Sequence, residues 1–468
     1  MMKKPYLFII FAFMMGCATY HPKPISPVQT ASNLESRTLD NAGLKGFLEK
    51  NLHHEITHWP QRSWDFPMLT LAAFYYHPDL DVARAKWGVA QAGVITAGQR
   101  PNPGIGFLPQ YNVNAVSGVS PWILGFTFDV PIETAGKRGY RITQAKYLSE
   151  AARLNIATAA WQTRSRLRES LLNLYAAEQA ELLLKRQLAT REDLVEQMER
   201  RLAVGEVSRP DVTVARLLRD QTRLSLSEAR KQRAEARSQT ANALGLAAEA
   251  IKRIDVSFSF LEKLPQEIAP EDLRRQALLN RSDILSSLAA YAASESALQL
   301  QIGKQYPDLH LGPGYEFSQG ENKWGIGVSL TLPVFNRNQG PIAEAEAHRK
   351  EAGALFMSLQ ARVIGEIERA LAGYEGAVRK LEEADALVSD KARQLQSAQA
   401  MFNVGEADRL TFLGARLELL SSSLSRLEAL VQAQQSLGLL EDALQRPLDP
   451  AGSFGAVPEK SPRLGEEK

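Results

Sequence analysis

Cysteine is almost missing from this chain: Cys17 is the only one in 468 residues. No intrachain disulfide can form, so nothing covalent staples the fold. Histidine is scarce at 7 residues, and no glycine-rich phosphate loop is present, so little is available for metalloenzyme or nucleotide chemistry. The formal charge of +2 removes the basic footprint that nucleic-acid binding needs. After residue 16 no apolar run is long enough for a transmembrane helix. That does not bear on membrane strands, whose alternation is a weaker signal per segment. Glycine and proline are both absent from 140–204, and proline is absent between Pro341 and Pro447.

Where those breakers are missing, helices of unusual length are expected. Residues 140–204 rise at about 1.5 Å each, so one uninterrupted helix there reaches about 100 Å. Leu167, Leu171, Leu174, Ala177 and Leu182 fit the seam of a coiled coil. Gly205 stops the run as a left-handed C-cap. Ser208 caps the return helix, with Pro210 in its first turn and Asp211 third, in capping-box arrangement. The same plan recurs further on: 342–404 outward, Gly405-Glu406 at the tip, Asp408 as cap, 410–445 back. Gly353, Gly365, Gly373, Gly376 and Gly414 loosen this second copy or let a neighbouring helix approach.

A strand pattern precedes each helical run. Trp324, Ile326, Val328, Leu330, Leu332 and Val334 alternate with Gly325, Gly327, Ser329, Thr331 and Pro333. Trp122, Leu124, Phe126, Phe128, Val130 and Ile132 do the same with Ile123, Gly125, Thr127, Asp129 and Pro131. Period two over about eleven residues is the length of a bilayer-spanning strand. Each has a partner upstream, at 105–115 and 309–318, so two hairpins are expected, turning at 116–121 and at 319–323. Tyr111, Trp122, Tyr315 and Trp324 suit bilayer interfaces. Four strands cannot close a barrel and open edges are not viable in lipid, so other chains must complete the sheet; three copies give twelve strands.

The two halves are one unit duplicated. Trp122 and Trp324 lie 202 positions apart, as do Gly125 and Gly327. Gly205-Glu206 and Gly405-Glu406 lie 200 apart, as do Ala215-Arg216-Leu217 and Ala415-Arg416-Leu417. Pro78-Asp79-Leu80 sits against Ser282-Asp283-Ile284. The organisation expected is a 1–16 leader, a 17–68 arm, a first repeat at 69–247, a 248–269 linker, a second repeat at 270–447 and a disordered 448–468 tail. In the first repeat the strand hairpin is placed at about 103–133 and the helical hairpin at about 140–244; in the second, at about 309–335 and about 342–445.

The amino terminus has Lys3-Lys4, an apolar 6–15 stretch and then Met14-Met15-Gly16-Cys17. This resembles a bacterial lipoprotein signal, with Cys17 as the acylated first mature residue and that lipid as the only covalent group expected. Ala18 after the cysteine favours outer-membrane sorting by the same resemblance. A further motif lies at 54–58. On a helix running from 41 to 58, His54 and His58 would share a face in H-E-x-x-H spacing with Glu55 between them. Trp59-Pro60 ends that helix and no catalytic domain surrounds it, so a solvated helix end is the favoured reading.

Strand hairpin, long helical hairpin, duplication and lipoprotein signal together resemble the TolC family of outer-membrane efflux proteins. Phe335-Asn336-Arg337-Asn338-Gln339-Gly340, Ile342-Ala343-Glu344-Ala345 and Gly136-Lys137-Arg138 resemble its CzcC-like, heavy-metal branch. The resemblance implies a fold class of membrane β-barrel plus long α-helical coiled-coil barrel, four strands per chain, completed as a homotrimer without catalysis. It implies an outer-membrane location in a Gram-negative cell, a periplasmic adaptor and an inner-membrane RND pump. Adaptor docking then falls to the tips, Val204, Gly205, Glu206 and Ser208 with Val404, Gly405, Glu406 and Asp408. Arg209, Asp211, Arg409 and Thr411 lie where the pore would narrow; Thr411 and Gly414 stand where relatives often carry acids. A multidrug or dye duct, or a type I secretion duct, would look nearly the same, and a non-channel coiled-coil lipoprotein remains a further alternative.

Overall fold

The computed structural model describes residues 19–252, 254–265 and 270–448. Cys17, the 1–16 leader and the tail from 449 onward lie outside the described residues. Two short helices, α1 (Pro27–Glu35) and α2 (Ala42–Leu52), lead to strand β1 (Ser63–Trp64). The first repeat then runs α3 (Phe66–Tyr76), α4 (Pro78–Gly98), β2 (Gly104–Tyr111), β3 (Trp122–Ile132), α5 (Lys137–Ala203) and α6 (Arg209–Leu244). A linker with β4 (Asp255–Val256) follows. The second repeat repeats the order as α7 (Pro270–Asn280), α8 (Ser282–Gly303), β5 (Leu309–Ser318), β6 (Glu321–Leu330), α9 (Gln339–Asn403) and α10 (Arg409–Leu444).

The sheet is antiparallel with order β2-β3-β5-β6, so β2 and β6 are its edges. Register puts Tyr111 against Trp122, Phe107 against Phe126 and Tyr315 against Trp324, and all three pairs are in ring contact at 4.8 to 5.0 Å. One face therefore carries Trp122, Phe126, Phe128, Tyr315, Trp324, Ile326 and Val328, most of them exposed. The other carries Gly106, Gly125, Thr127, Asp129, His310, Gly312, Gly314, Gly325, Gly327 and Ser329. Such a two-faced sheet suits lipid on one side and water on the other. Pro109 is tolerated because β2 is an edge. Pro313 is in a central strand, and the β3–β5 ladder is interrupted there, between the Thr127–Gly314 and Val130–Leu311 pairs.

The second hairpin turns more tightly than its pattern suggests. Gln319 and Gly320 take φ of 55° and 84°, the geometry of a two-residue hairpin turn, so Glu321 and Lys323 are paired strand residues. At its other end β6 stops at Leu330. Leu332 and Val334 continue the alternation but not the strand, because the partner strand β5 begins at Leu309, opposite Leu330, and leaves nothing for them to pair with. Helix α9 starts three residues earlier than the pattern indicates, behind Asn338 at φ 63°, whose amide donates to the Gln301 carbonyl at 2.7 Å. Helix α5 likewise starts at Lys137 behind Gly136 at φ 68°.

The arm helix is a correction. It ends at Leu52, with His53 left-handed at φ 57°, rather than continuing to residue 58. Ile56 is buried against the arm core and its N–H donates to the Glu49 carboxylate at 3.0 Å, so the chain leaves the helix axis to seat it. His54 and His58 therefore share no helix face. They contact their own neighbours, the Leu52 carbonyl and the Thr57 hydroxyl.

Among the described residues the apolar core falls into three clusters, two of them large. In one, Trp64, Leu69, Leu71, Leu44 and Leu48 pack with Leu167, Leu171 and Leu244, each buried side chain worth about 1.5–3 kcal/mol. The β1–β4 pairing joins arm to linker, Ser63 to Asp255 and Trp64 to Val256. The other large cluster gathers Ile284, Val363, Ile367, Leu437 and Leu440. Leu167, Leu171, Leu174 and Ala177 occupy the α5 seam as patterned, but Leu182 is exposed and Glu181 is buried instead. The spacing continues to 181, and that carboxylate is held by Lys185 at 2.8 Å, Arg233 at 2.8 Å and Arg230 at 3.5 Å. Among the described residues no helix is long and apolar enough to cross a membrane.

Candidate functional site

Two turns, at the far end of the long helices from the sheet, are built alike. At the first, Val204 closes α5, Gly205 takes φ 79°, and the Glu206 N–H donates back to the Arg201 carbonyl at 2.9 Å. At the second, Gly405 takes φ 83° and the Glu406 N–H donates to the Met401 carbonyl at 2.9 Å. A left-handed glycine with that return bond lets a helix reverse within a few residues. The reversal leaves Val204 and Val404 projecting, each 71% exposed.

The acids beside the turns are occupied with capping. The Asp211 carboxylate accepts from the Ser208 N–H at 3.1 Å and from its hydroxyl at 2.6 Å. The Asp408 carboxylate accepts from the Thr411 N–H at 2.8 Å and hydroxyl at 2.6 Å. The Ser208 bonds lower the pKa of Asp211. The Thr411 bonds, with Arg201 adding to them, lower that of Asp408. Both are thus anionic down to well below neutral pH.

The two turns are joined by Arg201, which belongs to the first tip string but has no separate role in the sequence pattern. Arg201, on the last turn of α5, donates to Asp408 at the head of α10 at 2.9 Å and lies 3.8 Å from Glu206. Arg409 reaches Asp193 of α5 at 4.0 Å. Arg209 is exposed beside them. The one available signal for Arg201 was asymmetry: position 401 in the other repeat is Met. Phe402 and Phe412 stack at 5.8 Å across the second turn.

The two repeats meet through β3 and β5, through α5 and α8, and through α5 and α10, and the last of these contacts contains buried charge. Arg164 donates to Glu441 at 3.1 Å, and Arg168 lies 3.6 Å from the same carboxylate. Arg168 also donates to the backbone carbonyl and side-chain oxygen of Gln434, both at 2.8 Å. Trp161 and Ser165 donate to Asp442 at 2.8 and 2.6 Å. Burial raises the pKa of Asp442, with Glu441 beside it adding to the effect. Among the described residues no group of three or more His, Cys, Asp or Glu has the geometry to hold a metal. What the arrangement offers is a wall: a sheet with one apolar face, standing on two helices of 67 and 65 residues, each about 100 Å long and folded back into a 36-residue return helix.

Fold and tips together define a class of protein in which an open antiparallel sheet stands on duplicated long helical hairpins. The chain belongs to the outer membrane efflux protein family, whose model matches residues 71–246 and 273–444, one match per repeat. Over 269 residues it is 26% identical to the cobalt-zinc-cadmium resistance protein CzcC of Cupriavidus metallidurans, covering 57% of this chain and 62% of that protein. The chain thus spans less than two thirds of the length of that relative. Among solved structures it is similar to the outer-membrane channel OprN, with a TM-score of 0.66 at 18% identity over 92% of this chain and 98% of that one. It is similar to CusC as well, with a TM-score of 0.66 at 18% identity over 84% of this chain and 95% of that one.

Proposed function

We propose that this chain is the outer-membrane exit duct of a tripartite efflux system, and that its cargo is divalent heavy-metal cations. The observation that carries the reading is the open sheet, apolar outward, running directly into periplasm-length helical hairpins at both repeats. Lipid admits no unpaired strand edge, so β2 and β6 need neighbours, and three copies supply twelve strands and twelve long helices. The turns then lie at the periplasmic end. Val204, Gly205, Glu206, Ser208, Val404, Gly405, Glu406 and Asp408 are assigned to the adaptor, which links the duct to an inner-membrane pump. Arg209, Asp211, Arg409 and Thr411 are assigned to the narrow end of the pore. An acyl group on Cys17 anchors the arm in the same membrane.

Heavy metal is favoured as cargo by the similarity to CzcC, whose name records cobalt, zinc and cadmium resistance. The test is a strain lacking this gene, challenged with sublethal cobalt, zinc, cadmium, nickel and copper, with a hydrophobic dye followed in parallel. Raised cell-associated metal with normal dye is the expected result. Raised dye with normal metal refutes the metal assignment and transfers the duct to drug export.

A further inference from the structure

Both flanks of the chain are open. In the sheet the edges are β2 and β6. In the helical layer α6 packs on α5, α5 on α10 and α10 on α9, so α6 and α9 are the outer members. Along α6 run Arg209, Arg216, Arg223, Arg230 and Arg237, one every seven residues. Along α9 run Glu368, Glu375 and Glu382 at the same interval, all exposed. Seven residues are close to two helical turns, so each series forms a stripe on one side of its helix.

The duplication indicates how these stripes meet. Within one chain α5 and α10 pack antiparallel, with Trp161 at Asp442, Arg164 at Glu441 and Arg168 at Gln434. Their counterparts, displaced by 200 residues, are α9 and α6: α5 ends at Ala203 and α9 at Asn403, while α6 spans Arg209–Leu244 and α10 Arg409–Leu444. Transferring the α5–α10 register to α9–α6 sets Glu368 level with the turn containing Ala234 and Arg237. Antiparallel steps of seven then bring Glu375 to Arg230 and Glu382 to Arg223.

We propose that α6 of one copy docks on α9 of the next through the rungs Arg237–Glu368, Arg230–Glu375 and Arg223–Glu382, which close the helical ring in register. This rests on the ring assembly of the proposed function. Three further features agree with a second copy as the occupant. At the positions equivalent to Arg230 and Arg237, α10 has Leu430 and Leu437, buried chiefly against α9 of its own hairpin beside Ala377, Leu381, Val363 and Ile367; where the second hairpin buries leucine, the first carries partly exposed charge. Glu375 and Glu382 have no hydrogen-bond or ion-pair partner among the described residues. Gly365, equivalent to the Ser165 that meets Asp442, and Gly376 each leave open space where a side chain would sit, so a helix can approach closely.

The arginines are not idle before assembly. Arg216, Arg223 and Arg230 lie 2.6, 3.3 and 3.5 Å from Glu199, Glu192 and Glu181 of α5, while their side chains remain 53 to 55% exposed. A guanidinium has five N–H donors in a fork, so each can hold α5 on one side and a neighbouring α9 on the other. Glu368 already pairs with Arg274 of its own chain, which leaves Arg230–Glu375 and Arg223–Glu382 as the rungs to test first.

The experiment uses the full chain purified in detergent, with trimer dissociation read on native gels at low and high salt. R230E and E375R each turn three attractive rungs per ring into repulsive ones, and each is expected to raise the dissociation constant about tenfold or more at low salt. The exchange R230E/E375R restores assembly, and added salt shrinks the differences. Single reversals that assemble like the parent, or an exchange no better than the worse single, overturn the ladder. As a second measurement, Arg230→Cys with Glu375→Cys, joined by a short bismaleimide, gives covalent dimers and trimers. Arg230→Cys with Glu351→Cys, far out of register, gives none; equal yields from both pairs overturn the register. A parent protein that is monomeric throughout refutes ring assembly itself, whereas a trimeric parent with failed exchange refutes only the ladder.

Discussion

The Glu441 carboxylate is where the two repeats depend most heavily on one group, and E441Q tests that dependence. Its side chain is 5% exposed, between Arg164 at 6% and Arg168 at 8%. Glutamine keeps the shape and an oxygen for the Leu448 N–H, which now donates to Glu441 at 2.9 Å. What it removes is the counter-charge. Arg168 retains its two bonds to Gln434, but Arg164 is left against the rings of Trp161 and Phe66, at 4.8 and 5.0 Å. Its Nε already has no partner. Breaking a buried pair from one side costs about 3–5 kcal/mol. At about 2.1 cal/mol/K per residue, a chain of this size unfolds with an entropy near 1 kcal/mol/K, so Tm falls about 1 °C per kcal/mol, or about 3–5 °C here. Circular dichroism of the full chain in detergent reads it. R164M/E441Q removes the stranded cation together with its partner and is expected to lie nearer the parent than the two single effects added, a coupling of about 1 kcal/mol or more. A Tm for E441Q within 1 °C of the parent, or strict additivity in the double variant, refutes the reasoning.

Asp442 gives a pH dependence of defined sign. Its pKa is raised by burial from the ordinary 3.8, so the folded chain holds that proton where the unfolded chain has lost it, and stability from this site falls as pH rises from about 4 to the raised value. D442N is expected to flatten that part of the Tm-against-pH curve relative to the parent; parallel curves contradict it. Asp408 has the opposite sign: its lowered pKa keeps the Arg201 link intact above the ordinary 3.8 and weakens it only as pH falls through the lowered value. R201A separates the two turns and is expected to raise single-channel conductance in planar bilayers at neutral pH, and an unchanged conductance removes Arg201 as a latch. Gly205 and Gly405 sit in the left-handed region, where any side chain costs about 1–2 kcal/mol. G205V and G405V are each expected to lower metal resistance at least several-fold with trimers still formed; full resistance in both removes the turns from adaptor docking.

How much of this was legible beforehand depended on whether a residue's role is local. Helix stops are local, and Gly205, Gly405, Ser208 and Asp408 could be read because a left-handed glycine or a side-chain cap needs only its own few neighbours. Strand faces are nearly as local, which is why the alternation from Trp122 to Ile132 survived intact. The failures share a different cause. Leu332 and Val334 carry the right side chains, but strand membership is decided by backbone pairing, and the partner strand begins only at Leu309, opposite Leu330. His54 and His58 have the right spacing, but the helix they need ends so that Ile56 can reach the arm core, a contact no local pattern records. Glu181 was hidden for the same reason: its three cations come from one turn further along α5 and from a helix some fifty residues on. Arg223, Arg230 and Arg237 are the limiting case. Their seven-residue spacing is visible in the bare sequence, yet it has no meaning until the order α6-α5-α10-α9 shows which helices are left without a neighbour. The glutamates that answer them are more than a hundred positions away and, on this reading, in another copy of the chain. A ring assembled from duplicated units therefore keeps the residues that close it where single-chain pattern reading is weakest, and the repeat register is what recovers them.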